Sequence, residues 1–161
     1  MKQEETIKNN SYKLLKISST AFENEGLIPS KYTCDGLNIN PPLTIENIPE
    51  DAKCLVLIVN DPDAGIRPWV HWIVWNIPIT NHIKENTIHG IEGINDFQQH
   101  QYGGPCPPAG MHHYIFKVYA LNSLVNLSEN SKIADLEKTM PAHIIAYGET
   151  IGLYHRQLKS K

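Results

Sequence analysis

Three runs in this chain are rich in apolar residues and too short for a typical helix. Cys54-Leu55-Val56-Leu57-Ile58-Val59 is apolar at every position and is stopped by Asp61-Pro62. A β-branched run of this kind, bounded by turn formers, predicts a strand buried on both faces. Trp69 to Ile77, closed by Pro78, predicts a second. A period of two places Trp69, His71, Ile73 and Trp75 on one of its faces, and Val70, Trp72 and Val74 on the other. His112 to Leu121 predicts a third, with His112, Tyr114, Phe116 and Val118 opposite His113, Ile115, Lys117 and Tyr119. Shorter strands are expected at Tyr12–Ile17, where Leu14 and Lys16 face away from Leu15 and Ile17, and at Leu43–Ile45. The turn-rich stretch from Gly26 to Pro42 leaves room for fragments near Leu27-Ile28 and Tyr32-Thr33. Thr80 to His100 is polar with isolated isoleucines and reads as a long loop holding at most one short strand.

Helical spacing occurs only near the C-terminus. Ser131 can cap a short helix to Lys138, and Thr139 a second with Pro141 in its first turn. In the second, Ile144, Ile145, Gly148, Ile151, Gly152, Leu153 and His155 recur three and four apart, a stripe suited to lying on a sheet. Gly148 and Gly152 either permit a close backbone approach or are tolerated on a partly exposed face. Residues 1–11 are polar and are expected to be a flexible segment ahead of a single domain, 12–161. The expected fold is mainly β: an antiparallel, two-sheet, sandwich-like core with one or two C-terminal helices.

Composition narrows the partners. A chain of 161 residues with 41% hydrophobic and 19% charged residues suits one globular domain. A net charge of -3 offers no basic face for nucleic acid, and no apolar run is long enough for a membrane span. Met1 to Thr6 lack the apolar core of a signal peptide. Cys34, Cys54 and Cys106, an odd set without a CxxC pair, suit a reducing compartment better than a disulfide framework. A cytoplasmic protein is the resulting expectation.

The candidate chemistry gathers in two stretches, Asn60–Gly65 with Trp69–Trp72, and Tyr102–Tyr114. Asp61 and Asp63 flank Pro62 just past a buried strand. Alone they would read as an Asx-type turn. His71 and His112, each beside a chain reversal, make a shared site the better reading. A carboxylate accepting from a histidine ring fixes its tautomer and favours the charged form. Such a ring beside the backbone N–H groups of Gly103, Gly104 and Gly110 would suit an anion. Pro105, Pro107 and Pro108 would shape the loop and wall, while Trp69, Tyr102 and Tyr114 supply apolar surface that favours an organic phosphate. Trp72, opposite His71, is expected in the core. There is no G-x-S-x-G, P-loop or H-E-x-x-H motif. Cys106 with His112 could form a thiolate–imidazole pair, but a cysteine between prolines fits a wall better. Two aspartates and two histidines could hold zinc or manganese, although their spacing matches no metal signature, and no cofactor is expected.

These residues carry a resemblance. Asp61-Pro62-Asp63-Ala64, Val70-His71-Trp72, Gly104-Pro105-Cys106-Pro107-Pro108, Gly110 and His112-His113-Tyr114 resemble the phosphatidylethanolamine-binding protein family, most closely its bacterial Raf-kinase-inhibitor-like branch. Tyr32–Gly36, Pro41–Leu43, Ile94–Phe97 and Leu136–Arg156 extend the match to roughly 12–157. The resemblance implies antiparallel sheets with flanking helices and a small cavity for phosphate-like groups. By motif position, the cavity residues would be Asp61, Asp63, His71, Pro107, Pro108, His112 and Tyr114; the backbone argument adds Gly104. Family members bind phospholipid head groups or nucleotides, and some inhibit kinases or serine proteases; bacterial members often form homodimers. The expected function is therefore non-catalytic binding of a small anionic or phosphorylated ligand, with possible regulation of a partner protein. The alternatives are inhibition of a kinase or serine protease, then metal-assisted phosphoester hydrolysis. Three positions depart from the family pattern: His113 stands where arginine is usual, Gly65 where proline is usual, and Gln98-Gln99 where a glycine is common.

Overall fold

The structure is a computed structural model that describes residues 12–157; the expected flexible segment 1–11 lies outside the described residues. The strands are β1 (Lys13–Leu14), β2 (Lys16–Ser18), β3 (Gly26–Leu27), β4 (Leu43–Glu46), β5 (Cys54–Asp61), β6 (Trp69–Ile77), β7 (His82–Ile83), β8 (Ile91–Glu92), β9 (His112–Leu121) and β10 (Ile144–Tyr154). The larger sheet runs β1-β10-β9-β5-β6-β8, with β3 also on β10, and the smaller runs β2-β4-β7. The three apolar runs are its centre: β5 lies antiparallel between β6 and β9, and all eight of its residues are buried. The short strands β1 and β3 pair parallel with β10.

Two apolar cores cover the two faces of this sheet. Leu55, Leu57 and Val59 pack with Tyr114, Phe116 and Val118 against Ile17, Leu43, Ile45 and Ile83 of the smaller sheet. Cys54, Val56 and Ile58 pack with Tyr119 and Leu121 against Leu136 of α1 (Ile133–Thr139). The alternation expected for β9 is therefore the observed one. The N-cap of α1 is Lys132 rather than Ser131, and there the Asp135 carboxylate accepts from the Lys132 N–H at 2.9 Å.

The expected second helix is instead the strand β10. Its burial alternates, with Ile144, Ala146, Gly148, Thr150, Gly152 and Tyr154 inside. Small residues occupy the inward positions from Ala146 to Gly152, so the period of two was hidden behind large apolar residues that happen to recur at helical spacing. The packing explains the small residues. A Cβ at Gly148 would land on the Leu15 carbonyl oxygen, and one at Gly152 on the Ile28 side chain. The close approach expected of these glycines is real, but it is made by a strand. Tyr32-Thr33 is likewise not a strand fragment: Ser30–Tyr32 forms a 3-10 turn. The loop from Thr80 to His100 holds two short strands, β7 and β8, rather than one.

One irregularity reshapes the site. Val59 pairs with Trp72, but Asn60 pairs with Val70, so β6 carries an extra residue at this step. This bulge breaks the expected alternation. Val70 turns to the helix-side core with Ile73 and Trp75. His71 and Trp72 both serve the other face, where His71 packs edge-on to Tyr114 and Trp72 edge-on to Tyr102.

Candidate functional site

Where β5 ends and β6 and β9 begin, a cavity of about 220 Å³ opens at the end of the sandwich. Asp61, His71, His112 and Tyr114 give it polar groups; Trp69, Phe97, Ala64, Cys106, Pro107 and Pro108 give it apolar walls. Odd-numbered residues of β5 face the sandwich interior, which carries Asp61 to the cavity directly after Val59.

Asp61 has both of the roles weighed for it, one per oxygen. Its Oδ1 accepts the Asp63 N–H at 2.8 Å, the Asx-type turn. Its Oδ2 meets His112 Nδ1 at 2.6 Å, with side chains only 4% and 12% exposed. His71 Nδ1 lies 2.6 Å from the Gly103 carbonyl and must donate to it, which leaves Nε2 with the lone pair when the ring is neutral. Burial lowers the His71 pKa, only partly offset by the Gly103 carbonyl and the Asp61 charge, so the neutral form is favoured. The Tyr114 hydroxyl is buried without a well-formed hydrogen bond. Burial, then the nearby Asp61 carboxylate, hold it far above the ordinary phenol range, so it remains a proton donor.

Asp63 is placed differently. Its Oδ2 accepts from the His113 N–H and meets His113 Nδ1, each at 2.7 Å, outside the cavity lining. Burial would raise its pKa, but the two hydrogen bonds from His113 win and leave it lowered. His113 thus has the supporting role expected of a residue facing away from His112. The glycine cradle is not formed as expected. The Gly103 N–H donates to His71 O at 3.1 Å, and the Gly104 N–H to Asn38 Oδ1 at 2.8 Å. Gly104 is there because a Cβ would strike Asn38 and the Tyr32 carbonyl. Gly110, at φ 71°, belongs to a neighbouring groove with Met111 and Arg156.

Cys106 is a wall residue, and it is also bonded to Cys34, with Cα atoms 5.5 Å apart. This overturns the expectation of three free thiols and removes the thiolate–imidazole pair. It also removes the support that the cysteine count lent to a reducing compartment. The bond joins two segments already tied together: Cys34 N–H donates to Pro105 O at 3.1 Å, and Tyr102 Oη to Tyr32 O at 2.7 Å. The signal was present in placement, since Cys34 and Cys106 lie in turn-rich loops while Cys54 lies in a buried strand. Among the described residues no three His, Cys, Asp or Glu side chains converge as a metal-ligand set. No helix of the described residues is long and apolar enough to cross a membrane.

Phe97 was missed as a lining residue. Its ring packs edge-on against His71 at 5.2 Å and Trp69 at 5.6 Å. Asn95 positions it: Oδ1 accepts the N–H groups of Phe97 and Gln99, and Nδ2 donates to His71 O and Gln101 O. The departures from the family pattern find local explanations. Gln98 sits at φ 62°, the left-handed conformation that glycine adopts most readily, and Gly65 at φ 159°, which proline cannot reach.

The model of the phosphatidylethanolamine-binding protein family matches residues 18–155. The UPF0098 protein of Pyrococcus abyssi is 49% identical over 155 residues, covering 89% of this chain and 86% of that protein. A phosphatidylethanolamine-binding protein homologue of Chlamydia trachomatis superposes with a TM-score of 0.85 at 37% identity, covering 89% of this chain and 99% of that one. Escherichia coli YbcL, described as a new member of the mammalian family, superposes at 0.82 with 30% identity, over 89% and 99% of the two chains. The family match along nearly all of the described chain, the identity to relatives and the shared sandwich lead to one assignment: this protein belongs to the phosphatidylethanolamine-binding protein family.

Proposed function

We propose that the chain is a non-catalytic binding protein whose end cavity takes a small phosphate-bearing or other anionic ligand. The observation that carries this reading is the Asp61–His112 pair, 2.6 Å apart and nearly buried at the wall of an open cavity. Asp61 commits one ring nitrogen of His112, which directs the pair's remaining hydrogen-bonding capacity through Nε2. Among the described residues no lysine or arginine lines the cavity, so it has no strong positive field. Hydrogen bonds and apolar walls, rather than net charge, select the ligand. His112 and Tyr114 are its donors, and the neutral His71 ring is its acceptor. A phosphomonoester carrying one proton matches that set, because it offers acceptor oxygens and one O–H. Pro107, Pro108, Trp69 and Phe97 would enclose the organic part.

Calorimetric titration with inorganic phosphate, phosphoethanolamine and a nucleoside monophosphate tests the reading. Phosphoethanolamine and the nucleotide should bind more tightly than phosphate alone, and His112→Ala should weaken all three. Unchanged affinities in that variant would remove the cavity assignment. A second reading, inhibition of a kinase or serine protease through this surface, is favoured by the apolar residues around the mouth. Trp69 and Phe97 of the lining are exposed, as are Met111 in the neighbouring groove and Ile66 in the loop between β5 and β6. Retained potency in Ile66→Ser and Phe97→Ser, in an assay with any kinase or protease found to be inhibited, would rule out this surface.

A further inference from the structure

On the opposite face of the sheet from the cavity just described lies a cleft of about 150 Å³, between β5, β6, β9 and α1. Asn60, Arg67, Lys117 and Glu137 supply its polar groups, and Ile58 and Met140 are among its apolar ones. Asn60 follows Cys54, Val56 and Ile58 along a face that is otherwise apolar. It is only 8% exposed, and its Oδ1 is buried with no hydrogen-bond partner. A buried, unpaired amide oxygen is unfavourable unless something donates to it. Lys117, half-buried on β9 beside Ile58, makes no ion pair among the described residues. Arg67 is held over the cleft only by long contacts of 3.3 and 3.4 Å to Asp96.

We propose that this cleft is a second binding site, for a small zwitterion with an ammonium and a carboxylate close together. The carboxylate would lie between Lys117 and Arg67. The ammonium would donate to Asn60 Oδ1 on the side where Glu137 supplies negative charge. The volume corresponds to roughly five waters, which suits an amino-acid-sized molecule and excludes a drug-sized one. The apolar walls keep water from the contact at Asn60 and in part from that at Lys117, which strengthens both. The site stands independently of the cavity at Asp61, since Asn60 and Asp61 are neighbours on β5 that face opposite sides of the sheet.

The test is a titration of the isotope-labelled protein with glycine, followed by amide NMR, with acetate and methylammonium as single-ended controls. Glycine should give saturable shifts at Asn60, Arg67, Lys117 and Glu137, with each control at least about tenfold weaker. Asn60→Leu, which replaces the unpaired amide by an apolar group of similar size, and Lys117→Met should each weaken glycine about tenfold or more. His112→Ala should leave it unchanged. Absence of saturable shifts, shifts confined to Asp61, His71 and His112, or equal binding by Asn60→Leu and Lys117→Met would each overturn the proposal.

Discussion

Two Asp–His pairs stand side by side in this protein: Asp61 ends β5 and Asp63 lies in the turn beyond it, while His112 and His113 are neighbours on β9. Asp61–His112 closes at 2.6 Å with side chains 4% and 12% exposed, and Asp63–His113 at 2.7 Å with side chains 39% and 50% exposed. Their chemistry is the same, yet alternation along β9 turns His112 to the cavity and His113 away, and the turn after β5 carries Asp63 out to meet His113. A buried carboxylate has exchanged its water for specific partners and depends on them. An exposed one keeps its water, and its partner adds little. Burial, rather than residue type, makes the first pair a candidate site and the second a brace for the loop after β5.

The largest expected effect is on stability. Asp61→Ala removes the acceptor of both His112 and the Asp63 N–H and should cost about 3 kcal/mol, whereas Asp63→Ala should cost less than about 1 kcal/mol. Urea unfolding of the two variants measures the difference, and equal losses would break the comparison. Acid titration sharpens it next. Burial places the folded His71 pKa below its ordinary 6.5, so below that pH the unfolded chain takes up a proton that the folded chain refuses. The stability is present in full above 6.5 and falls with acid by at most about 1.4 kcal/mol per pH unit. His71→Gln should lose that dependence, as seen in thermal melts across the range. The smallest effect belongs to the surface pair. His113→Arg keeps the Asp63 partner charged at every pH and should raise stability by less than about 1 kcal/mol, without altering ligand affinity.

The centre of the fold was legible because β5 and most of β6 are buried on both faces, which continuous apolar runs announce directly, and because β9 alternates cleanly beside them. Strand β10 was not, because Gly148 and Gly152 are small for a tertiary reason: Leu15 and Ile28 press on them. For the site, periodicity along β9 correctly separated His112 from His113. It failed on β6, since a bulge is a property of the pairing of Asn60 with Val70 and leaves no mark in one strand alone. The glycine N–H groups looked available until their partners, His71 O and Asn38, were in place. Parity misled the reading of the cysteines, since two in loops and one in a strand are not one set.

We propose that His112, held by Asp61, is a ligand contact while its neighbour His113 is not. Calorimetry of phosphoethanolamine binding to wild type, His112→Ala and His113→Ala, all at one pH and one salt concentration, tests it directly. A loss of about tenfold or more is expected for His112→Ala and a change within about twofold for His113→Ala. Equal losses in the two variants, or none in either, would contradict it.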